Sequence, residues 1–131
     1  EYLDRWKYRH PKPWDMFATF EDVAGRDLDW FWRSWYFETW TLDQAVQSVT
    51  SDSAGTRIVV EDRGRVPMPV RLAITHADGE VERRELPVDV WLEGETTASV
   101  SVPGAVTRVE IDPESFFPDI DRKNNVWAGG R

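Results

Sequence analysis

Six of the eight tryptophans in this 131-residue chain, Trp6, Trp14, Trp30, Trp32, Trp35 and Trp40, fall within the first 40 positions. The rest of the chain holds only Trp91 and Trp127. Burying one aromatic ring removes about 150–250 Å² from water, worth at most about 4–6 kcal/mol at roughly 25 cal/mol per Å². Two short helices cannot hide that much indole. The segment is therefore expected to pack against protein outside the chain, against the remainder of the chain, or against both.

The spacing in this front segment is helical. Pro13 can occupy a first turn, Trp14, Phe17, Phe20 and Val23 follow at three-residue steps, and Gly25 supplies a stop, which predicts a helix from Trp14 to Val23. A second helix is predicted from Leu28 to Phe37. Asp27 is its N-cap, and Leu28, Phe31, Trp32, Trp35 and Tyr36 form one apolar stripe. Trp30 and Phe37 lie off that stripe, so this helix is aromatic over more than one face and should be covered on two sides.

From Ile58 onward the period changes to two. Met68, Val70, Leu72 and Ile74 alternate with Pro69, Arg71, Ala73 and Thr75, and Asp78-Gly79 then marks a hairpin turn. Arg57–Glu61, Val81–Leu86, Val88–Leu92, Ala98–Val102 and Val109–Ile111 complete a set of short strands punctuated by Gly64, Gly94 and Pro103-Gly104. Leu42–Thr50 is ambiguous, because Leu42, Ala45, Val46 and Val49 have helical spacing while the stretch could equally lead into the sheet as a strand. The expected fold class is α+β: a helical segment over residues 1–40, then over residues 41–131 an antiparallel β-sandwich or barrel of about six strands, seven strands if Leu42–Thr50 joins the sheet, ending in an irregular tail. No internal repeat or low-complexity tract interrupts it.

A net charge of −8 disfavours nucleic acid and anionic lipid as partners. Without Cys, no disulfide, thiolate nucleophile or Cys-ligated metal is available, although redox compartment stays open. No apolar run approaches the roughly 20 residues of a membrane-spanning helix, and no signal-peptide pattern opens the sequence. Residue 1 is Glu rather than Met, so the numbering is expected to start inside a longer polypeptide.

Catalytic signals are sparse. A zinc site commonly uses two His one helical turn apart, whereas His10 and His76 are distant in sequence. His10 reads as a helix-entry residue and His76 as a turn residue. No Ser stands in a G-x-S-x-G context, and the only closely spaced glycines, Gly129 and Gly130, lie in the tail. The acidic pairs Asp27 with Asp29 and Glu21 with Asp22 are read as capping and solvated residues rather than general acids and bases. Asp119, Asp121 and Asn124 loosely follow a calcium loop but lack its Gly and distal Glu, so the stretch reads as a polar loop leading to Trp127. Trp91, opposite in phase to Val90 and Leu92, is a lone candidate for a sugar-stacking ring, and packing against the helical segment or a missing neighbour is the favoured reading.

Several motifs together resemble the C-terminal portion of aminopeptidase-N-like zinc metallopeptidases, the gluzincins. They are Tyr8-Arg9-His10-Pro11, Asp15-Met16-Phe17, and Phe20-Glu21-Asp22-Val23-Ala24-Gly25-Arg26-Asp27-Leu28-Asp29-Trp30-Phe31-Trp32, with Trp35 and Trp40. In that family such a stretch occurs in helices closing a thermolysin-like catalytic domain, and Pro67-Met68-Pro69-Val70 with Asp78-Gly79 resembles the small β-sandwich that follows. The resemblance makes Leu42–Thr50 the first strand of the sandwich. It also implies a parent that removes N-terminal residues from peptides with Zn²⁺.

The parent's H-E-x-x-H, third-ligand Glu, supporting Tyr and G-x-M-E-N loop have no counterpart in this sequence, and Tyr2, Tyr8 and Tyr36 do not match the family's Tyr. No catalytic, cofactor or metal residue carries over, and the chain alone is expected to be non-catalytic. Its expected contribution is an interface made by Trp14, Phe17, Trp30, Phe31, Trp32, Trp35 and Trp40 toward the upstream catalytic domain. The competing expectations are a self-contained β-sandwich binding module whose helical arm docks a protein or polysaccharide, and a family member that has lost its zinc ligands. Compartment and substrate preference are not encoded in these residues.

Overall fold

A computed structural model describes residues 1–129. The chain divides into two compact units, Glu1–Thr39 and a second that begins at Trp40. The first is helical and the second carries seven antiparallel strands in two sheets, so the fold is α+β with a β-sandwich-like part.

The helical unit contains α1 (Tyr2–Trp6), α2 (Pro13–Ala24) and α3 (Asp29–Trp32), which runs directly into a π-helical turn at Arg33–Phe37. Helix α2 begins as Pro13 suggests, and Lys12 N–H donates to Asp15 Oδ2 at 2.7 Å. It ends at Gly25, whose φ of 64° lies in the left-handed region that a side chain would strain. Helix α1 is additional to the two helices expected. Its Trp6 Nε1 donates to Thr19 Oγ1 at 3.1 Å, and Arg5 pairs with Asp22 at 2.6 Å.

The single helix expected over Leu28–Phe37 is corrected by the π turn. Glu38 N–H donates to Arg33 O at 3.0 Å, five residues back rather than four. The wider turn changes the angular phase of the residues that follow. Trp35 and Tyr36, placed on the apolar stripe by an ideal helical period, are accordingly 39% and 57% exposed. The N-cap of α3 is Leu28 rather than Asp27, whose Oδ1 instead accepts Asp29 N–H at 2.7 Å in the turn just before it.

In the second unit the strands are β1 (Gln44–Asp52), β2 (Gly55–Asp62), β3 (Val70–His76), β4 (Val81–Leu86), β5 (Thr97–Val102), β6 (Val106–Ile111) and β7 (Val126–Ala128). They form two sheets ordered β1-β2-β5 and β4-β3-β6-β7. The ambiguous stretch is thus strand, paired with β2 in a register that places Val46 opposite Val60. The alternation read from sequence fills the core: Ile58 and Val60 of β2, Val70 and Ile74 of β3, and Val109 of β6 are each 0% exposed. Gly64 allows a close backbone approach, since a Cβ there would stand 2.1 Å from Thr41 O. Thr41 N–H in turn donates to Gly64 O at 3.2 Å, which ties the entry of the unit to the end of β2.

Three sequence expectations are corrected in this unit. Val88–Leu92 is not a strand, because Asp89–Leu92 forms a short helix, α4. A helical turn buries Val88 and Trp91 together at a three-residue spacing, leaving them 4% and 5% exposed, whereas strand alternation would have set them on opposite faces. The tail is not wholly irregular, since β7 pairs Trp127 with Val109. His76 is the last residue of β3 rather than a turn residue, and its Nε2 lies 3.0 Å from Glu82 Oε2 on β4.

Candidate docking surface

Helix α2 presents an unexpected balance of inside and outside. Of its three-residue stripe only Phe17 is buried, at 6% exposure, while Trp14, Phe20 and Val23 are 62%, 48% and 60% exposed. Phe17 stacks on Trp32 with centroids 4.4 Å apart and planes inclined by 20°, and it meets Tyr36 edge-on at 5.3 Å. This small aromatic kernel is all the hydrophobic interior the helical unit holds, since Phe17 and Trp32 are the only fully buried apolar residues of Glu1–Thr39.

Around the kernel lies an open aromatic rim. Trp14 and Phe37 stack with centroids 5.8 Å apart and an interplanar angle of 13°, and Phe37 remains 59% exposed. The π turn favours this pairing, because its wider winding advances each residue by a smaller angle and brings Phe37, off the stripe of an ideal helix, round toward α2. A groove of about 590 Å³ runs between α2 and α3, lined by Trp14, Phe17, Ala18, Glu21, Asp29, Trp30, Trp32, Arg33 and Phe37. Glu21 is its polar anchor: Oε1 accepts Trp32 Nε1 at 3.1 Å and Leu28 N–H at 3.3 Å, fixing the ring and the entry to α3. Trp30 Nε1 is enclosed and has no acceptor among the described residues.

The structure assigns the expected interface residues different parts. Phe17 and Trp32 form the kernel, Trp14 and Trp35 are exposed, Trp30 and Phe31 are half-buried, and Trp40 belongs to the sheet unit. Phe31 bridges the rings of Trp32 and Trp35, at 5.3 Å and 6.1 Å. Phe20, Tyr36 and Phe37 were not among the expected interface residues, and all three are exposed. For Phe37 a signal existed in its position off the stripe.

The titratable groups hold local structure. Glu21, Asp27 and Asp29 bring three carboxylates within 4.8 Å of one another, the only cluster of metal-ligating types among the described residues. Glu21 and Asp27 already accept the hydrogen bonds described above, and no His joins them. Asp119 Oδ2 accepts Gln44 N–H at 3.0 Å and Asn124 Nδ2 donates to Asp43 at 2.7 Å, so the stretch compared with a calcium loop fastens β1 to the tail. Trp91 is buried in the sheet unit and donates Nε1 to Met68 O at 2.9 Å, which removes it as a sugar-stacking ring. The histidines offer no paired ligand set: His10 is exposed in the loop before α2, and Glu82 engages His76.

No family model, curated protein or solved structure matches this chain.

Proposed function

We propose that this chain is the C-terminal portion of an aminopeptidase-N-like zinc metallopeptidase and that its role there is architectural. The helical unit uses its aromatic rim to seat against the catalytic body, and the sheet unit follows as a self-supporting β-sandwich. In such a parent the metal supplies Lewis-acid chemistry for peptide hydrolysis. The residues present do not fit a catalytic zinc site, so no step of hydrolysis is assigned to them.

One observation carries the docking part of the reading. Trp14, Tyr36 and Phe37 stay more than half exposed although α2 and α3 already enclose Phe17 and Trp32. A contiguous exposed aromatic patch with a groove beside it is the usual mark of a protein-facing surface. The metallopeptidase part is supported by the motif resemblance in Phe20–Trp32, where Glu21 and Trp32 make the hydrogen bond that closes the helix pair.

The direct test reads the residues encoded ahead of Glu1. H-E-x-x-H followed by a further Glu is expected there, and expression of that upstream body with this chain should yield a zinc-dependent aminopeptidase. A translation start at the head of this sequence, with no such motif before it, would overturn the reading.

A further inference from the structure

Four strand edges close the two sheets, and three of them are obstructed. β4 carries Glu82, Arg83, Arg84 and Glu85 in succession. β7 is only 3 residues long. β1 has a register break between Val46 and Ser48, and Val46 N–H is already taken by Asn124 O at 2.9 Å. Charge, shortness and irregularity are the standard devices that stop edge-to-edge pairing. The outer edge of β5 has none of them. Its sequence, Thr97-Ala98-Ser99-Val100-Ser101-Val102, is uncharged, free of Pro and regularly paired with β2 along its whole length.

The hydrogen-bond phase of β5 follows from one contact beyond its end. Asp62 N–H donates to Thr96 O at 2.9 Å, and these two residues continue the antiparallel register of Glu61 with Thr97. Hydrogen-bonded and non-bonded pairs alternate along an antiparallel ladder. Ala98, Val100 and Val102 therefore spend their main-chain groups on β2, while those of Thr97, Ser99 and Ser101 point outward. All three are exposed, and no turn, loop or cap hydrogen bond takes their amides among the described residues.

We propose that this edge pairs with β5 of a second copy of the chain, in antiparallel register about a two-fold axis at Ser99. The strand is self-complementary in that arrangement. Ser99 meets the partner's Ser99, and Thr97 meets the partner's Ser101. Every one of these residues has its amide and carbonyl facing outward, so each pair exchanges two N–H···O bonds. Hydroxyl side chains then lie opposite hydroxyl side chains on the exposed face. Ala98 and the partner's Val100 adjoin on the inward face, continuing its apolar layer. Shifting the two-fold axis by one residue, to Val100, would pair Thr97 with the partner's Pro103, which has no N–H to give. Pairing at Ser99 keeps every outward-facing pair, Ser99 with Ser99 and Thr97 with Ser101, within the strand and clear of Pro103. Two copies that each carry −8 repel one another at long range, so added salt strengthens this association.

The inference stands apart from the aromatic rim, and its test keeps the two separate. Light-scattering mass measurement on the intact chain should show a reversible dimer that tightens with salt. Exchange of the Thr97, Ser99 and Ser101 amides should slow as protein concentration rises. Ser99→Lys, which sets like charges face to face, should abolish the dimer; Ser99→Ala and Trp14→Ser should retain it. The chain has no native Cys, so Ser99→Cys should form a disulfide-linked dimer under mild oxidation, the paired Cα atoms lying about 5.5 Å apart, whereas Ser48→Cys on β1 should not. A monomer at every concentration and salt, a dimer indifferent to Ser99→Lys, or an edge that takes up an uncharged extended peptide but not a second copy would overturn the proposal.

Discussion

The two units solve the same problem with opposite success. The sheet unit encloses Ile58, Val60, Val70, Ile74 and Val109 completely, and it stitches its entry and tail to the ladder through Gly64, Asp119 and Asn124. The helical unit has a greater share of large rings and fully buries only Phe17 and Trp32 among its apolar side chains. Amount of apolar surface is therefore not what separates them. Sheets paired face to face give each inward side chain neighbours from both layers, whereas two short helices share one seam and leave their flanks in water. The unit richer in tryptophan is the one that leaves more of its large rings in water.

The largest effect should come from the sheet core. Ile58→Ala, at a position with 0% exposure, is expected to destabilise the sheet unit by about 2–5 kcal/mol, read by chemical denaturation followed at the buried Trp91. A loss below 1 kcal/mol would mean that the core is less tightly built than its burial indicates. Next comes Gly64→Ala, whose new methyl would collide with Thr41 O and the Asp43 amide. The expected loss is about 1–3 kcal/mol, seen as a lower unfolding midpoint.

A smaller effect concerns the β3–β4 pair. The hydrogen bond from His76, followed by that from Arg84, holds the Glu82 carboxyl below its usual 4.5. A carboxyl whose folded pKa is depressed stabilises above its unfolded value, and the benefit fades as pH falls through the lower folded value. Glu82→Gln should therefore lower the midpoint slightly near neutrality and converge with the parent chain in acid. A difference that grew toward low pH would reverse the assigned cause.

The smallest stability change is expected at the rim itself. Trp14→Ser, at 62% exposure, should shift the stability of the isolated chain by no more than about 0.5 kcal/mol while reducing binding of an apolar dye. A large destabilisation would place Trp14 in the interior that holds the unit together.

The contrast also explains which parts of the structure were legible in the sequence. Val81–Leu86 was read to its ends because a Gly-containing turn and a Pro bound it, and β3 because its alternation is sustained. Val88–Leu92 misled because a five-residue stretch fits both periods, and the anchor that holds Trp91 in the interior, its Nε1 donating to Met68 O, lies far away in sequence. β7 is too short to carry a period at all. On the helical side the aromatic content pointed to a surface, and seven interface residues were named, but which ring faces in and which faces out turned on the π turn at Arg33–Phe37. That turn leaves no mark in residue type. It exposes Trp35 and Tyr36 and stacks Phe37 on Trp14, so the rim could be anticipated while its membership could not.

Residue-resolved hydrogen exchange on the isolated chain tests the difference between the units most directly. Amides of β2, β3 and β6 should exchange only through global opening of the sheet unit, and those of α2, α3 and the π turn about a hundredfold faster or more. Equal protection across both units, with the helical amides as slow as those of Ile58 and Ile74, would contradict the account, because it would mean that the aromatic unit is complete without a companion.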